Sequence, residues 1–343
     1  MTAPSTASAN ASTHIPSKPA AWRVCVDIGG TKVAVSLMRD TPDAPAAAGA
    51  AARAPNPEGL LARRSEPTAK SGAPDALAQQ VLRLTDGALA SVGAERGDVL
   101  AVGVSSCGPF VLIEDGIALA APNICGGLAG PARGLPNDWM HAPLEGPLKA
   151  VFPQVRVVND AIGALQAERR WGALQGLDHC AYLTWSTGIG VGLCVDGVVL
   201  RGKHGNAGHA GHMFVSDNAD ALCGCGNVGD LEGLVAGNAI ERRFGRGAAA
   251  LLQAARDGEA QAQTVVDALC RDMGRALYNL IVTLDLQAIS LGGSVFWHHH
   301  EFLLPKLAAH IDGKLPSLTQ GCRLLPAGLG QHVGDFAAAA VAA

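Results

Sequence analysis

The segment from Thr184 to Glu232 carries three short motifs that decide how the whole chain is interpreted. They are TWSTGIGVG (184–192), GNAGHAGH (205–212) and CGCGNVGDLE (223–232). The first is typical of a strand that ends in a glycine turn, where successive backbone N–H groups can bind phosphate. The second contains a histidine pair, and the third has the cysteine spacing of a small metal site. Each motif alone also occurs without such a function, so the rest of the chain has to agree.

The composition indicates a globular α/β protein and excludes several classes. Of the 343 residues, 48% are hydrophobic and 43 are glycine, which fits buried elements joined by many tight turns. A formal net charge of -4 and 4% aromatic residues provide neither a basic face nor stacking platforms for nucleic acid. No run approaches the ~20 apolar residues of a membrane span. Most of the cysteines are isolated, as in a reducing compartment, so we expect a cytoplasmic protein without nucleic-acid or membrane partners.

The chain begins with a segment of low complexity. Residues 1–21 are rich in Ala, Ser, Thr and Pro and lack an apolar core. Such a composition does not bury enough apolar surface to offset the entropy of ordering, so we expect a disordered tail. A secretory signal peptide would need an apolar run of about 7–15 residues, which is missing here.

A paired-glycine motif, DIGGTK (27–32), lies between two apolar runs and predicts a strand–turn–strand hairpin. Paired glycines allow a close approach of the backbone to a ligand, and the N–H groups of Gly29, Gly30 and Thr31 could form an anion nest. Asp27, at the end of a strand, could hold a Mg²⁺-bound water near phosphates. A plain hairpin with a Gly-Gly turn would have the same sequence, so both interpretations stay open.

Two polar positions follow apolar runs nearer the middle of the chain. Asn159 and Asp160 lie between a predicted strand (155–158) and a predicted helix (161–171). Asp160 could cap that helix, or it could be a general base in the crevice at the strand ends, where α/β proteins bind ligands. Asn123 could cap a turn, or it could read hydroxyl groups with its donor and acceptor faces.

The second half of the chain repeats the pattern of a strand followed by a glycine turn. The turns are STGIG (186–190) and GGS (292–294), each directly after an apolar run. Helical composition and spacing extend over residues 233–244, 248–256 and 260–284. Glycine turns in both halves suggest two related units that close on one phosphate chain. The run HHH (298–300) is expected to begin the solvated face of a helix.

In this order the motifs resemble those of the ROK family of bacterial sugar kinases and repressors, within the actin/hexokinase superfamily. The resemblance covers nearly all of residues 24–343, and it is specific because the motifs occur together and in family order. The matching segments are DIGGTK (27–32), APN (121–123), ND (159–160), STGIG (186–190), AGHAGH (207–212), CGCGNVGDLE (223–232) and GGS (292–294). It implies an α/β fold of two ribonuclease-H-like domains with an interdomain cleft.

The same resemblance implies the domain boundaries and the assembly. The smaller N-terminal α/β domain would contain residues 22–158 together with 330–343, because the terminal helix of the family crosses back to the first domain. The larger C-terminal α/β domain would contain residues 159–329 and the metal knuckle. We also expect a homodimer.

The resemblance also implies an ATP-dependent kinase that phosphorylates the 6-hydroxyl of a sugar, with Mg²⁺. Asp160 matches the base that accepts the proton of that hydroxyl. The residues that match nucleotide-binding positions are Asp27, Gly29, Gly30, Thr31, Lys32, Ser186, Thr187, Gly188, Gly190, Gly292 and Gly293. Those that match sugar-binding positions are Gly108, Asn123, Asn159, Asp160, His209, His212 and Glu232.

The metal knuckle departs from the family pattern at one position. The family has three cysteines and a preceding histidine as zinc ligands, whereas here His212, Cys223 and Cys225 match and Asp230 replaces the third cysteine. Aspartate can bind Zn²⁺, so a site of these four residues is chemically possible, although harder than one with three thiolates. A metal-free knuckle held by packing is the alternative.

His209 is the residue that separates the candidate sugars. Most kinases of the family have a glutamate here that accepts hydrogen bonds from hydroxyls near the anomeric carbon, and the histidine resembles that of bacterial N-acetylmannosamine kinases. A neutral histidine offers one donor and one acceptor, and a donor could meet the carbonyl of a 2-acetamido group. We therefore expect N-acetyl-D-mannosamine, with glucose as the alternative.

Two hypotheses without kinase activity are alternatives to the sugar kinase. A sugar-responsive repressor of the family would carry a winged-helix domain before the first glycine motif, where only about two dozen residues stand, short of a domain of ~50 residues. It would also not need the base, whereas Asp160 is present. The other alternative is a catalytically silent sugar sensor.

Overall fold

A computed structural model describes residues 21–40 and 59–343 of the chain. The predicted disordered tail, residues 1–21, lies outside these residues except for Ala21. In chain order the strands are β1 (Trp22–Ile28), β2 (Lys32–Arg39), β3 (Leu61–Pro67), β4 (Val99–Ser106), β5 (Phe110–Ile113), β6 (Gly116–Leu119), β7 (Ala142–Pro143), β8 (Val155–Asn159), β9 (Cys180–Trp185), β10 (Ile189–Val195), β11 (Val198–Val199), β12 (Ala288–Gly292) and β13 (Arg323–Pro326).

Helices cover and connect the sheets. In chain order they are α1 (Ala76–Ala90), α2 (Glu145–Lys149), α3 (Asp160–Trp171), α4 (Leu231–Val235), α5 (Gly237–Phe244), α6 (Ala248–Arg256), α7 (Ala260–Leu284), α8 (Ser294–Trp297), α9 (His300–Ala308), α10 (Pro316–Thr319) and α11 (Val333–Ala342). Helix α7 is amphipathic, and its buried residues, among them Met273 and Leu277, belong to the core of the second half.

The two large sheets have the same plan, as the two glycine turns predict. The first has the order β3-β2-β1-β4-β8 and the second β11-β10-β9-β12-β13. In each, an antiparallel hairpin joined by a glycine turn (β1–β2, β9–β10) pairs in parallel with strands from later in the chain. Strands β1, β4, β9 and β12 are buried along most of their length, as expected where helices cover both faces.

Helix α11 lies against the first sheet and α3. The small side chains of its alanines allow a close approach: a Cβ at Gly103 of β4 would clash with the backbone of Ala342. Likewise, a Cβ at Gly163 of α3 would lie 3.2 Å from the Cβ of Ala337. The chain end therefore returns to the N-terminal strands, although the exact division into domains stays a prediction.

The helix predicted over 233–244 is two helices. The backbone at Ala236 is extended (φ -64, ψ 153), which ends α4 and starts α5. The break lets the Gly237 N–H donate to the Ser186 carbonyl at 2.8 Å. Periodicity along one segment does not reveal a partner 50 residues earlier, which is why the prediction was wrong here.

The triple-histidine run also differs from its prediction. His299 is 8% exposed and its Nδ1 has no hydrogen-bond partner, so this residue does not lie on a solvated face. His298 is exposed, and His300 is the first residue of α9. The run spans the short connection between α8 and α9, where the chain turns and buries the middle side chain.

Candidate active site

The first glycine turn closes the β1–β2 hairpin. The Gly29 N–H donates to the Lys32 carbonyl at 2.9 Å, which fixes the turn. A Cβ at Gly30 would clash with the side-chain amide of Asn123, so Asn123 lies directly against this turn. Thr31 is exposed at the tip. Only glycine at residue 30 therefore leaves space for the Asn123 side chain beside the turn.

The second glycine turn is held from three sides. The Ser186 N–H donates to the Gly188 carbonyl at 3.0 Å, and the Ser186 carbonyl accepts from Gly237. The Ile189 N–H donates to Glu232 Oε2 at 2.9 Å. Thr187 is exposed at the tip of the turn. Gly190 lies beside α3, where a Cβ would be 3.1 Å from the Cβ of Ala161.

Asp160 is the first residue of α3, at the carboxyl end of β8. The Ala161 N–H donates to Asn159 Oδ1 at 3.0 Å and to Asp160 Oδ1 at 2.8 Å. Asn159 is the N-cap, with the extended backbone that a cap requires, so the capping role considered for Asp160 belongs to its neighbour. The Asp160 carboxyl is exposed to the cleft.

The surroundings of Asp160 raise its pKa to about 6. Solvent reaches the carboxyl from the cleft, yet the walls enclose it closely enough to remove much of the water that would stabilise its charge. Hydrogen bonds from the Ala161 N–H oppose this shift. The pKa of Asp27 is also raised to about 6, first by burial and then by the charge of Asp160. Near neutral pH both groups are ionised, in the range that suits a general base.

A cavity of about 290 Å³ opens beside Asp160. Asp27 from β1, Thr184 from β9 and Trp297 from α8 line it, so it lies where both sheets meet. Gly293 lines it as well, with a φ of 91° that favours glycine, and a Cβ there would clash with the Trp185 backbone. This is a concave site with two carboxylates, Asp27 and Asp160, on its wall.

Gly292 has no room for a side chain either. It is buried at the end of β12, and a Cβ there would lie 2.5 Å from the Tyr182 hydroxyl. A side chain at residue 292 would therefore displace Tyr182, which lines the cavity. A backbone without side chains can contact a flat ligand closely, and the nucleotide-binding role of the pair stays a prediction.

Three residues predicted to bind sugar, Gly108, Asn159 and His209, lie against one another. A Cβ at Gly108 would lie 3.0 Å from His209 Nε2 and 3.3 Å from Asn159 Nδ2. Gly108 follows β4, Asn159 ends β8 and His209 follows β10 and β11, so the fold brings together residues about 100 positions apart. Polar groups of Asn159 and His209 thus meet at Gly108, and Asn159 directly precedes Asp160.

The structure changes the role expected for the His209 ring. His209 Nδ1 lies 2.9 Å from the Asn206 carbonyl oxygen, and a carbonyl can only accept, so Nδ1 carries the hydrogen. Burial lowers the pKa of His209, which favours the neutral ring. In that ring Nε2, the atom facing Gly108, is an acceptor. The ring N–H that was expected to donate to an acetamido carbonyl therefore already donates to the Asn206 carbonyl.

Glu232 connects the second glycine turn with the cysteine knuckle. Its Oε2 accepts from Ile189, as described above, and Cys223 Sγ donates to its Oε1 at 3.6 Å. Both carboxyl oxygens thus contact protein groups. A role for Glu232 toward sugar hydroxyls stays a prediction.

The four predicted metal ligands converge. The ligand atoms of His212, Cys223, Cys225 and Asp230 all lie within 4.8 Å of one another, the one such cluster of His, Cys, Asp and Glu side chains in residues 21–40 and 59–343. His212 Nδ1 is 3.8 and 3.6 Å from the two sulfurs and 3.0 Å from Asp230 Oδ2. Ligand atoms 2.0–2.3 Å from one tetrahedral ion are about 3.3–3.8 Å apart, so the two sulfur distances match Zn²⁺ and the Asp230 oxygen is closer by about 0.3 Å.

Asp230 has a second role that a cysteine could not perform equally well. Its Oδ1 accepts from the Gly233 N–H at 2.8 Å, so Asp230 is the N-cap of α4, while Oδ2 points to the cluster. Burial opposes ionisation, but the hydrogen bonds from Gly233 and His212 lower the pKa of Asp230. One carboxylate thus serves the helix and the cluster together.

Two residues that contribute to this region were missed by the sequence analysis. Asn206 lies inside the quoted motif 205–212, but its contact with Phe110 and its position next to His209 depend on chain segments far apart. Glu168 is completely buried and bonds segments from three parts of the chain. A charged residue on the apolar face of the predicted helix 161–171 was the available signal for Glu168.

The fold and the cleft define a class of protein. Two α/β sheets of the same topology, each with a hairpin glycine turn and each contributing to one cavity, are the arrangement of actin/hexokinase-type proteins, and the solved structures below have the same fold. The ROK family model matches residues 23–343. The chain belongs to the ROK family, which confirms the family and the fold class predicted from the motifs.

Named relatives include two kinds of kinase. A glucokinase from Aeropyrum pernix is 29% identical over 286 residues, which are 76% of this chain and 84% of that protein. An N-acetylmannosamine kinase from Salmonella typhimurium is 31% identical over 281 residues, 79% of this chain and 82% of that protein. Sequence similarity alone therefore does not decide between the two sugars.

Solved structures agree over almost the whole chain. A ROK hexokinase from Thermus thermophilus is 28% identical with a TM-score of 0.64, covering 94% of this chain and 97% of that chain. A ROK family glucokinase from Streptomyces griseus, solved with glucose and AMPPNP, is 26% identical with a TM-score of 0.64, covering 93% and 98%. None of the described helices is long and apolar enough to cross a bilayer.

Proposed function

We propose that this protein is an ATP-dependent sugar kinase that phosphorylates the 6-hydroxyl of a hexose or N-acylhexosamine, with N-acetyl-D-mannosamine as the favoured substrate. The observation that carries this proposal is Asp160, an ionisable carboxyl group on the wall of a cavity that Asp27 and Thr184 also line, close to Gly190 of the second glycine turn. The ROK kinases among its relatives support the reaction class.

In the proposed reaction, the sugar O6 attacks the γ-phosphorus of ATP. A bond from O6 to phosphorus forms, the bond from phosphorus to the leaving oxygen breaks, and ADP departs. Asp160 accepts the O6 proton as the bond forms, a contribution of about 10²–10⁴-fold. Phosphoryl transfer otherwise needs mainly positioning and charge stabilisation, which the N–H groups of the glycine turns would supply.

Mg²⁺ would reduce the charge of the phosphates, and Asp27 is the residue that would hold it or one of its waters. Asp27 is a carboxylate on the cavity wall, and carboxylate oxygens are the ligands Mg²⁺ prefers. Its raised pKa reflects burial and the neighbouring charge of Asp160, a repulsion that a cation between them would relieve. Gly292 and Gly293 would lie against the adenosine.

A coupled assay for ADP release over a panel of hexoses and aminosugars tests the proposal. Turnover with at least one sugar is expected. The alternative of another class is a sugar-responsive regulator, and a ROK family transcriptional regulator with 20% identity and a TM-score of 0.71 shares this fold. Binding of a sugar without any turnover would favour such a regulator or a silent sensor over the kinase.

The choice between sugars depends on His209. A neutral ring in place of the glutamate of most family kinases removes a negative charge beside the 2-position of the sugar, where an acetamido carbonyl would be repelled. With its Nε2 as acceptor, His209 would take a hydrogen bond from the acetamido N–H. Glucose, whose 2-hydroxyl can also donate a hydrogen bond, is the alternative substrate.

The assembly of the protein as a homodimer also stays a prediction.

Replacing His209 by glutamate is expected to shift the preference toward glucose. The ratio of kcat/KM for N-acetylmannosamine to that for glucose should fall about ten-fold or more, the effect of one unfavourable polar contact. Steady-state kinetics with both sugars measure this ratio. His204→Glu, the same substitution at a histidine five residues before His209, is the matched control. An unchanged ratio in His209→Glu would show that His209 does not select the sugar.

We further propose that the cluster of His212, Cys223, Cys225 and Asp230 binds one structural Zn²⁺. The ion would fix the knuckle, and through Asp230 and Glu232 it would support α4 and the second glycine turn. Elemental analysis of protein purified without chelator should find one zinc per chain.

Variants of the knuckle are expected to change the metal content in opposite directions. Cys223→Ala should lose the metal and raise KM for the sugar, because the ligand count falls to three. Asp230→Cys should bind zinc more tightly, since a thiolate is a softer ligand than a carboxylate. Cys322→Ala, at a half-buried cysteine outside the cluster, is the control. Full activity in metal-free protein would contradict a structural role for zinc.

A further inference from the structure

The side chain of Asn206 makes an unusual contact with the other half of the protein. Its Nδ2 donates to the Phe110 carbonyl and its Oδ1 accepts from the Phe110 N–H, both at 2.8 Å. The amide therefore satisfies both backbone groups of one residue, as a neighbouring strand would do. Phe110 begins β5, two residues after Gly108, which lies against His209.

The backbone of Asn206 contacts His209 directly. Its carbonyl oxygen accepts from His209 Nδ1 at 2.9 Å. The flanking chain is also fixed: the Ala207 N–H donates to the Arg201 carbonyl at 2.9 Å, and the Gly208 carbonyl accepts from Val191 at 3.1 Å. The carbonyl of Asn206 is therefore held in one direction by its own side chain on one side and by Ala207 on the other.

We propose that Asn206 is a positioning residue that anchors the histidine loop to Phe110 and fixes His209 in the tautomer with the hydrogen on Nδ1. A histidine with no such partner is free to exchange tautomers, and its exposed nitrogen could then be a donor or an acceptor. The Asn206 carbonyl removes that choice. His209 Nε2 then faces Gly108 as an acceptor only.

This assignment deepens the proposed function and rests on it for the identity of the ligand. His209 would select a sugar substituent that donates a hydrogen bond, either a hydroxyl or the N–H of an acetamido group, and not the acetamido carbonyl. Because Phe110 and Asn206 come from opposite halves of the chain, the same contact would also set the distance between Gly108 and His209. Substrate selection and the closeness of the two halves would thus depend on one amide.

The tautomer can be measured without any sugar. We would label the full chain with ¹⁵N-histidine and record NMR correlations between the ring nitrogens and the carbon-bound ring protons at neutral pH. The signals of His209 are those that disappear in His209→Gln. The wild type should show a protonated Nδ1 and an unprotonated Nε2 for His209. Asn206→Ala should show a mixture of tautomers, and Asn279→Ala, at an exposed asparagine of α7, should leave the wild-type pattern.

Kinetics provide the second measurement. Asn206→Ala should raise KM for the sugar about ten-fold and change kcat much less, as expected when a ground-state contact is weakened. If that variant does not fold, Asn206→Asp carries the test, because it keeps the size and the acceptor toward the Phe110 N–H but lacks the donor. A wild-type tautomer pattern for His209 in the folded variant would overturn the proposal. Absence of turnover with every sugar would instead refute the kinase and leave the tautomer result valid.

Discussion

Replacing Asp160 by asparagine is expected to lower kcat at least about 100-fold, with little change in sugar affinity. Asparagine has the same shape and its oxygen can still accept the Ala161 N–H, so the start of α3 should be preserved. It cannot accept a proton at neutral pH. The loss should therefore appear in the chemical step and not in binding.

The pH dependence provides an internal check of this prediction. Asp160 must be ionised to act as a base, and its pKa of about 6 means that kcat/KM of the wild type should decline as the pH falls through 6. Asp27 titrates in the same range and beside it, so the apparent pKa belongs to the pair. The residual rate of Asp160→Asn should depend less on pH in this range, because only Asp27 remains to titrate.

Steady-state kinetics by ADP release, with sugar affinity from calorimetry, test both points. Asp312→Asn, at an exposed aspartate that does not line the cavity, is the control and should keep the wild-type rate. A rate in Asp160→Asn above about a tenth of wild type would mean that Asp160 is not the base, because general-base assistance is worth at least ~100-fold.

The raised pKa also has a consequence for stability. Because the pKa of Asp160 is higher in the folded protein than in the unfolded chain, its ionised form is the costly one after folding. That cost is present above about pH 6 and is relieved as the pH falls from about 6 toward 4. The cleft thus maintains an unfavourable charge at neutral pH, as expected for a residue kept for chemistry.

Local signals in the sequence predicted those parts of the site that depend on local structure. The glycine turns follow buried strands, and a polar residue at a strand end meets a helix start, so Gly30, Gly188 and Asp160 were predicted from their immediate neighbours. The convergence of Cys223 and Asp230 was implied by the family resemblance, and the two residues are close in the chain. These features form within a few residues of one another and need little knowledge of the rest of the fold.

Features that depend on distant partners could not be predicted in the same way. The helix break at Ala236 exists because Gly237 bonds Ser186, and the tautomer of His209 depends on where the Asn206 carbonyl points. Sequence patterns describe what one segment prefers, whereas these features depend on which group another segment presents to it. The contact of His209 Nδ1 with the Asn206 carbonyl, which leaves that ring nitrogen unavailable to a sugar, was not predictable for this reason.

Replacing Glu168 by glutamine is expected to lower the free energy of unfolding by about 3 kcal/mol. The carboxyl group of Glu168 is completely buried on α3. Its Oε2 accepts from the Gly328 N–H at 2.9 Å, and its Oε1 accepts from the Leu329 N–H at 2.8 Å. The Ser290 hydroxyl donates to Oε2 at 3.1 Å. One side chain thereby joins α3, β12 and the connection before α11.

A glutamine at this position keeps the size but reverses the polarity of one end. Besides the three donors above, the Ala173 N–H also donates to Oε2 at 2.9 Å, so both oxygens face donors only. The amide nitrogen of glutamine is itself a donor and would have to face at least one backbone N–H. Each buried donor left unpaired costs about 1–3 kcal/mol, which gives the expected magnitude.

Urea unfolding followed by circular dichroism measures the difference, and Glu301→Gln, at an exposed residue of α9, is the matched control with little expected change. A loss below about 1 kcal/mol in Glu168→Gln would mean that the four donors find other partners. The expected loss has a functional side as well, since α3 carries Asp160 at its first residue and Gly330 of the cavity wall directly follows Leu329. Glu168 therefore holds the helix that presents the carboxylate against the opposite wall of the cleft, and its replacement should loosen both walls together.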